Sequence, residues 1–313
     1  MSAGSRLVKL LTGAPAAAGG AARMVEAALE DAVAAADLAG VTGAQTSRDP
    51  FEARDPTYIA RTLPALRLLS EVYFRAEVSG LERIPASGPV LLVGNHSGGT
   101  VIADTFVLSQ AFYDHFGPHR AFHQLAHDLV FKVPGTRTLV QRYGTVPASP
   151  DNMRRALRLG AALLVYPGGD EESFRPSWQS SKVDFAGREG FVRLALEQRV
   201  PVIPVVALGG QETGLFIGRG RRVASALALD RLARVRVLPP VLGPPFGATI
   251  MDLPIRLPLP AKVRIRVMPP IELHEEVAAD GDRAVDEGYR LVTSRMQRTL
   301  TRLANQRSVP VVG

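Results

Sequence analysis

Short apolar runs alternate with amphipathic segments over most of the chain beyond residue 80. Each run ends abruptly at a glycine, a proline or a polar residue, as buried strands do, and the apolar positions between runs recur at helical spacing. The predicted strands are Pro89–Gly94, Ala121–Leu125, Gly144–Pro147, Ala162–Tyr166, Val202–Ala207, Val235–Leu238 and Lys262–Met268. This alternation predicts an α/β fold with a mostly parallel central sheet flanked by helices on both faces.

Two of the intervening helices have recognisable ends. Ser149–Gly160 has Asp151 near its start and a glycine at its end, and Gly187–Arg199 is a second amphipathic segment. Polar or acidic residues at the first turn and glycine after the last are typical helix boundaries. No internal repeat is found along the chain.

The first 78 residues follow a different pattern and are predicted to form a helical N-terminal region, with the α/β domain over residues 79–313. Ala22–Gly40 is an alanine-rich amphipathic helix, and residues 41–56 are a linker by their Gly, Ser, Asp and Pro content. In Thr57–Val78, arginines interrupt an apolar helical face and Pro64 predicts a kink. This helix either lies along a membrane surface, with its arginines among lipid phosphates, or packs on the main domain.

Apolar segments elsewhere bear on the relation to membranes. Arg234–Pro260 is proline-rich and apolar and fits neither a helix nor a ladder of strands, so it is either an exposed loop that contacts lipid or a loop buried under the sheet. The longest apolar runs are about ten residues, whereas a membrane-spanning helix needs about 20. No transmembrane helix is therefore predicted. The start of the chain is too rich in Gly and Pro for a signal-peptide core.

Composition narrows the possible chemistry. The 313 residues include no cysteine, which excludes disulfides, thiolate metal sites and a cysteine nucleophile. The net charge of +7 fits nucleic acid, anionic lipid or a phosphate-bearing small molecule as a partner. Nucleic acid is disfavoured because no zinc-finger or helix-turn-helix pattern occurs and aromatic residues make up only 6% of the chain. A high-GC genome is the alternative explanation for the arginine content.

The stretch GNHSGGTVIAD, residues 94–104, places a histidine where a predicted strand ends. Gly98 and Gly99 permit a tight turn, Thr100 is a predicted N-cap, and Asp104 falls in the first turn of the following helix. The carboxylate can then fold back onto one imidazole nitrogen of His96 and leave the other free as a general base. The alternative is a core histidine with a satisfied hydrogen bond.

The stretch LLVYPGGDEESFRPS, residues 163–177, repeats this layout of strand, glycine turn and polar residues. Asp170, Glu171 and Glu172 crowd together with Arg175 nearby. Because ligands of open α/β sheets bind outside the carboxyl ends of the strands, at least one carboxylate is predicted in the same crevice as His96. A solvated acidic turn is the alternative.

A glycine-spaced basic patch follows the predicted strand Val202–Ala207. Arg219, Arg221 and Arg222 are candidates for holding phosphates. Four histidines at 115, 119, 123 and 127 recur at intervals of four, but Gly117 and Pro118 break any helix there and no metal site is predicted. A serine hydrolase is disfavoured because the chain lacks a GxSxG elbow.

Three blocks together resemble the phospholipid/glycerol acyltransferase superfamily, which includes bacterial lysophosphatidic acid acyltransferases. They are VGNHSGGTVIAD, YPGGDEESFR and VPVIPVVAL, and the resemblance covers roughly Val78–Leu273. It implies that His96 is the general base, Asp104 its partner and Glu172 the counterpart of the glutamate in the family's Pro-Glu-Gly block.

The chain departs from the family pattern at several positions. Seven residues separate His96 from Asp104 where the family has four, so Gly98 and Gly99 must form a bulge, and Val101 stands at the usual acidic position. The block YGTVPASPDN lacks the family's phosphate-binding arginine. The Pro-Gly-Gly block looks more like the branch of type-2 diacylglycerol acyltransferases and phytyl ester synthases, which acylate neutral lipid alcohols.

The resemblance implies an enzyme that transfers an acyl group from acyl-CoA or acyl carrier protein to a lipid hydroxyl, without a cofactor. Amides of the Gly98–Thr100 turn, or near Gly168 and Gly169, are predicted to hold the oxyanion. Glu172 and Arg175 are predicted to position the acceptor or the donor phosphates. The predicted substrate-binding residues are Gly98, Gly99, Thr100, Gly168, Gly169, Arg175 and Arg219.

The predicted setting is the cytoplasmic face of the plasma membrane, with the enzyme bound peripherally to act on a glycerolipid or lysophospholipid. Two alternatives stay open: transfer to neutral lipid alcohols of the diacylglycerol or wax-ester type, and a non-catalytic lipid-binding protein on an acyltransferase scaffold. Neither nucleic acid nor metal is an expected partner, and the sequence carries no signal for the oligomeric state.

Overall fold

The computed structural model describes residues 49–100, 102–132, 136–226, 237–252 and 256–309. The predicted helix Ala22–Gly40 lies outside these residues. The strands of the described part are β1 Glu77–Ser79, β2 Val90–Gly94, β3 Phe122–Ala126, β4 Thr145–Pro147, β5 Ala162–Val165, β6 Val202–Leu208, β7 Leu215–Phe216, β8 Val241–Gly243, β9 Gly247–Thr249 and β10 Arg264–Val267. The α-helices are α1 Pro56–Leu68, α2 Ala103–Phe116, α3 Thr136–Arg142, α4 Pro150–Arg158, α5 Gly169–Ser173, α6 Gly190–Gln198, α7 Arg221–Ala226, α8 Leu273–Glu276 and α9 Gly281–Asn305.

A seven-stranded sheet in the order β1-β10-β6-β2-β5-β3-β4 forms the centre of the described residues. Neighbouring strands run parallel, apart from β10 and β6, which are antiparallel. In the middle of the sheet Leu92 of β2 pairs with Ile203 of β6 on one side and Leu164 of β5 on the other. The mostly parallel α/β fold predicted from the apolar pattern is confirmed.

Helices cover both faces of this sheet because every central strand is buried on both sides. Leu91 and Val93 point into a cluster that includes Met296 of α9, whereas Leu92 points to the opposite cluster with Phe112 of α2. Successive residues of a strand face opposite sides, which divides the apolar run of β2 between the two clusters. Six predicted strands match observed ones to within two residues at each end.

Two predictions of secondary structure in and around the proline-rich region are wrong. Val237 and Leu238 belong to no strand, since Pro239 and Pro240, which follow, have no amide hydrogen to donate to a ladder. The region Arg234–Pro260 was predicted to fit no ladder of strands. In the structure β8 and β9 pair with each other across a turn, and β8 also pairs with β7. Of the prolines in the described residues, Pro244 and Pro245 lie in that turn, and Pro239, Pro240, Pro258 and Pro260 lie outside the strands.

The predicted helix Thr57–Val78 is shorter than expected and packs on the main domain. Asp55 caps α1 by accepting the Tyr58 amide at 3.0 Å, and Ile59 is fully buried in the cluster around α2. The chain continues as a π-helix over Leu69–Tyr73 and then enters β1. The predicted domain boundary between residues 78 and 79 therefore falls inside a strand of the central sheet.

The long helix α9 closes the fold and was not predicted. Val292, Met296 and Leu300 recur at helical spacing on its buried side and fill the cluster beneath β6. Arginines and acidic residues line its other side. No helix within the described ranges is both long and apolar enough to span a bilayer.

Candidate active site

The site lies at the carboxyl end of β2, where the chain leaves the sheet. Asn95 follows the strand, and its side chain donates to the Ala207 carbonyl and accepts from the Ala207 amide of β6, both at 2.8 Å. This two-way clamp fixes the backbone just before His96. The histidine ring therefore projects from a rigid strand end, where open α/β sheets bind their ligands.

The lengthened turn brings Asp104 back to His96. Gly98 and Gly99 have φ angles of +97° and +69°, which side-chain-bearing residues rarely adopt. The chain doubles back through this bulge, and Asp104, in the first turn of α2, places Oδ2 at 3.4 Å from Nδ1 of His96. The bulge inferred from the Gly-Gly insertion is thus present. Val101 lies outside the described residues.

The Asp104 carboxylate is held from several sides. Oδ2 accepts from the Ser97 amide at 2.9 Å and the Ser97 hydroxyl at 3.2 Å, while Oδ1 accepts from the Thr105 amide at 2.8 Å. The side chain is 1% exposed. A carboxylate fixed beside Nδ1 favours the tautomer with the proton on that nitrogen and leaves Nε2 as the proton acceptor.

Tyr166 supports the histidine ring and was not predicted as a site residue. The two rings stack with centroids 4.2 Å apart and planes 19° from parallel. Its hydroxyl accepts from the Thr105 hydroxyl at 3.1 Å, and burial raises the pKa of Tyr166 well above its ordinary range, so the phenol stays neutral. The signal was available: a tyrosine that ends a buried strand beside the Pro-Gly-Gly turn.

Glu172 is the one carboxylate of the acidic block that reaches His96. Its Oε2 accepts the His96 amide at 2.8 Å, and its Oε1 accepts the Asp184 amide at 2.9 Å. Burial raises the pKa of Glu172 to about 7 despite the nearby Arg175 guanidinium. The contact is to the backbone of His96, so in the structure Glu172 positions the turn.

Arg175 does not reach the surface of the crevice. Its guanidinium donates to the carbonyls of Glu172 at 2.8 Å, Gln179 at 2.9 Å, Ser180 at 3.1 Å and also His96, and the residue is completely buried. These carbonyls accept the N–H groups with which Arg175 was predicted to bind donor or acceptor phosphates. Through its hydrogen bonds to the carbonyls of His96 and Glu172, Arg175 instead links the two glycine turns.

Arg219 and Arg221 of the basic patch, and Asp170 and Glu171 of the acidic block, have partners within the protein. Arg219 donates to the Glu171 carbonyl at 2.8 Å and to Asp184 at 2.7 Å, and Arg221 donates to the Glu171 carboxylate at 2.9 Å. Asp170 pairs with Arg188 at 3.0 Å. A phosphate bound by Arg219, as predicted, would therefore have to compete with the Glu171 carbonyl and the Asp184 carboxylate.

The amides of the Gly98–Thr100 turn are already used, contrary to the predicted oxyanion hole. Gly98 donates to Gln211 Oε1 at 3.3 Å, Gly99 to the Ser173 carbonyl at 3.2 Å and Thr100 to Asp252 Oδ2 at 2.6 Å. Thr100 is also not the N-cap, because Ile102 precedes the first residue of α2. These amides fix the shape of the turn.

The second glycine turn is also shaped by packing. A methyl group on Gly168 would overlap Glu172, so only glycine leaves room for that buried carboxylate. The Gly169 amide donates to the Tyr166 carbonyl at 3.1 Å, which closes the turn after β5. The amide of Gly169 is thereby committed within the protein.

A buried ion pair from the proline-rich region clamps the turn and was missed. Asp252 accepts both the amide and the hydroxyl of Thr100, at 2.6 and 2.8 Å, and Arg256 donates to the Gly98 carbonyl at 3.1 Å. The two side chains pair with each other at 2.6 Å with exposures of 0% and 2%. An i, i+4 acid–arginine pair in an apolar segment was the available signal.

Comparison with known proteins identifies the family. A family model described as Acyltransferase matches residues 75–208, the span from β1 to β6 that contains His96, Asp104 and Glu172. The chain belongs to the phospholipid/glycerol acyltransferase superfamily. The matched part of the chain is therefore an acyltransferase domain, and the pair Asp252–Arg256 lies beyond the matched range.

Relatives of this superfamily member include bacterial and animal proteins. An uncharacterized protein of Mycobacterium tuberculosis is 30% identical over 249 residues, covering 79% of this chain and 66% of that protein. The "DGAT1/2-independent enzyme synthesizing storage lipids" of Bos taurus is 25% identical over 244 residues, covering 76% of this chain and 67% of that protein. The chain thus spans about two thirds of the length of these relatives.

One solved structure is also similar to this chain. The 1-acyl-sn-glycerophosphate (LPA) acyltransferase PlsC from Thermotoga maritima matches with a TM-score of 0.48 at 17% identity, over 81% of this chain and 84% of that chain.

Proposed function

We propose that this acyltransferase transfers an acyl group from acyl-CoA to a hydroxyl of a glycerolipid or lysophospholipid at the membrane surface, bound peripherally at the cytoplasmic face. The observation that carries the proposal is the approach of the Asp104 carboxylate to Nδ1 of His96 at 3.4 Å, at the carboxyl end of the sheet. That arrangement suits general-base activation of a hydroxyl.

The acceptor hydroxyl gives its proton to Nε2 of His96 as its oxygen attacks the thioester carbonyl carbon. The tetrahedral intermediate then collapses, the carbon–sulfur bond breaks, and the CoA thiolate takes the proton back from His96. Asp104 stabilises the imidazolium between these two steps. Since the chain contains no cysteine, direct transfer between the two substrates replaces a thiol-bound intermediate.

A neutral acceptor such as diacylglycerol or a long-chain alcohol is the second candidate. Arg175 is buried against carbonyls, and Arg219 and Arg221 are paired with Glu171 and Asp184. An acceptor phosphate would have to displace these internal partners, whereas a neutral acceptor would not. The relative named for storage-lipid synthesis supports the same choice.

Release of free CoA, followed by mass spectrometry of the lipid products, tests the proposal with a panel of lysolipids, diacylglycerol and long-chain alcohols. We expect the wild type to acylate at least one acceptor, and His96→Ala to fall to the background rate while still binding acyl-CoA. His119→Ala is the matched control, because His119 is exposed and precedes β3, at the amino ends of the parallel strands rather than at their carboxyl ends.

Two outcomes would contradict the proposal. Turnover by His96→Ala at the wild-type rate would exclude His96 as the base. Lipid binding by the wild type without CoA release from any acceptor would favour the non-catalytic lipid-binding alternative. Transfer from acyl carrier protein but not from acyl-CoA would correct the donor and leave the mechanism intact.

A further inference from the structure

The small sheet β7-β8-β9 has an outer face made only of apolar side chains. Leu215 pairs with Leu242, and Leu242 pairs with Ala248, so these three side chains lie on the same side of the sheet. All three are exposed, whereas Phe216 and Val241 on the other side are buried. Antiparallel sheets that face water normally carry polar residues on the outer side.

Exposed apolar residues next to this sheet enlarge the patch. Ile217 continues β7 and is 53% exposed, and Ile250 follows β9 and is 75% exposed. Phe246, in the turn between β8 and β9, is exposed as well. Large contiguous apolar patches on a protein surface usually mark a binding surface.

Trp178 stands beside the same patch. The hydroxyl of Ser177, its neighbour, accepts from the Phe216 amide at 2.9 Å and donates to the Gly214 carbonyl at 3.2 Å, which fastens this turn to β7. Trp178 is 69% exposed and is the only tryptophan of the chain. Tryptophan is enriched where proteins meet the interface of a bilayer.

The described segments that carry the patch contribute positive charge. The charged residues of the described stretches 214–226 and 237–251 are Arg219, Arg221 and Arg222, and no residue described in these stretches is acidic. Arg222 is exposed, and Arg221 keeps 58% of its side-chain surface exposed beside Glu171. Arginines beside an apolar surface complement an anionic bilayer.

The patch is joined directly to the catalytic turn. Phe216, on the buried side of β7, lies against Gly99, and a methyl group there would come 2.7 Å from its ring. Ile250 is separated by one residue from Asp252, which holds Thr100. A surface pressed against lipid here would sit one layer of side chains away from the turn that carries His96.

We propose that the outer face of β7-β8-β9, with Ile217, Phe246, Ile250 and Trp178 around it, is the surface that docks the enzyme onto a bilayer containing anionic lipid. This inference rests on the proposed function in that the acyl acceptor is a membrane lipid. Docking through this face brings the crevice at His96 to the lipid surface, where both acyl chains and acceptor reside.

Trp178 provides a probe of this docking in the unmodified protein. The protein is titrated with vesicles of equal parts phosphatidylcholine and phosphatidylglycerol, and with vesicles of phosphatidylcholine alone. We expect the emission of Trp178 to shift to shorter wavelength, to be quenched by brominated phosphatidylcholine in the mixed vesicles, and to respond less as salt screens the arginines. Co-sedimentation with the mixed vesicles without any change in emission would overturn the assignment of this face.

Substitution tests the same face independently. The triple variant I217N/L242N/I250N should partition onto the mixed vesicles at least about tenfold more weakly, since three exposed apolar side chains are lost. Leu159→Asn is the matched control, because Leu159 is 56% exposed at the end of α4, away from this sheet. Circular dichroism and the melting temperature verify that both variants are folded.

The remaining outcomes separate this inference from the proposed function. The ratio of turnover on vesicle-embedded acceptor to turnover on a monodisperse short-chain acceptor should fall in the triple variant. Vesicle docking by a wild type that releases no CoA would leave this inference standing and contradict the acyl transfer. Sedimentation of the wild type as a dimer that the triple variant dissociates, without vesicle binding, would overturn the inference in favour of self-association.

Discussion

At the scale of single residues, the Asp104 carboxylate has more donors than an amide could satisfy. Oδ2 faces the Ser97 amide and hydroxyl and Nδ1 of His96, and Oδ1 accepts from the Thr105 amide. An asparagine has a single acceptor oxygen. Its NH₂ group would have to point at one of these donors, and His96 would lose its orientation or its tautomer.

We therefore expect Asp104→Asn to fold but to lower kcat by about 10²–10⁴-fold, as loss of a base and its partner typically does. The KM for acyl-CoA should change little, and CoA release measures both. Asp114→Asn is the matched control on α2, since Asp114 pairs with Arg67 at the surface. Equal rates for Asp104→Asn and the wild type would exclude the pair as a catalytic dyad.

Glu172 links the stability of the site to pH. Burial raises its pKa to about 7 in the folded protein, from an ordinary value of 4.5. The folded state therefore holds this proton more tightly than the unfolded state. The resulting stability is fully present below about pH 4.5 and is lost as the pH rises through about 7, and it amounts to roughly 3 kcal/mol.

Glu172→Gln has no proton to lose, so its stability should lack this component. Urea unfolding at about pH 4.5 and about pH 8 should show the free energy of unfolding of the wild type falling by roughly 3 kcal/mol relative to that of the variant. Glu275→Gln, at an exposed position on α8, serves as the control and should follow the wild type. Parallel pH profiles for Glu172→Gln and the wild type would show that its pKa is not raised.

At the scale of elements, the turn between β2 and α2 is held by parts of the chain far from it in sequence. Ser173 follows β5, Gln211 follows β6, and Asp252 follows β9, and each accepts one amide of Gly98–Thr100. Gly99 sits against the Asp252 carboxylate and the Phe216 ring. The conformation of the turn thus depends both on the positive φ angle of Gly99 and on the close contacts around this residue.

Substitutions at two glycines distinguish the cost of the φ angle from the cost of the close contacts. Gly99→Ala and Gly117→Ala both place a side chain at positive φ, +69° and +78°, but only at Gly99 does the new methyl group meet neighbouring atoms within 4 Å. Gly117 has φ +78° and ψ +163°, a region that is essentially reserved for glycine, so we expect Gly117→Ala to cost about 1–3 kcal/mol. Gly99→Ala should cost more than that and lower kcat as well. Thermal unfolding and CoA release measure the two effects, and equal losses at both positions would contradict close packing at Gly99.

Elements with a clear period were predictable, and the contacts between distant ones were not. The apolar runs of β2, β5 and β6 predicted the sheet, and the glycine turn after β2 predicted the approach of Asp104 to His96. The turn amides were assigned to an oxyanion because local sequence does not show which distant acceptor takes them. Asp252 is 152 residues from Thr100 in sequence, in a segment without strand or helix periodicity.

At the scale of the whole molecule, α9 contributes buried side chains to a core cluster together with α4 and α6. Val292, Met296 and Leu300 are fully buried beneath β6. Their helical spacing is legible in the sequence, so the omission of α9 from the prediction was avoidable. The domain boundary was harder, because β1 looks like the end of a helix until its partner β10 is known.

We expect Met296→Ala to lower the free energy of unfolding by about 2–5 kcal/mol, because a buried side chain is replaced by a cavity. The kcat of the folded variant should stay near that of the wild type, since Met296 packs in the core cluster and forms none of the contacts that hold the His96 turn. Ser294→Ala, two positions away and exposed, is the control. A stability unchanged by Met296→Ala, measured by urea unfolding, would contradict the burial of α9.

The place of β10 in the sheet has a consequence for dividing the chain. β10 lies between β1 and β6, so the strand that opens the family-matched span 75–208 joins the sheet through residues more than fifty positions beyond its end. A fragment cut at the limits of that span would lose the partner of its first strand and the Asp252–Arg256 clamp together. Recombinant or evolutionary shortening at the C-terminal side must therefore stop beyond Val267 for the histidine to keep its surroundings.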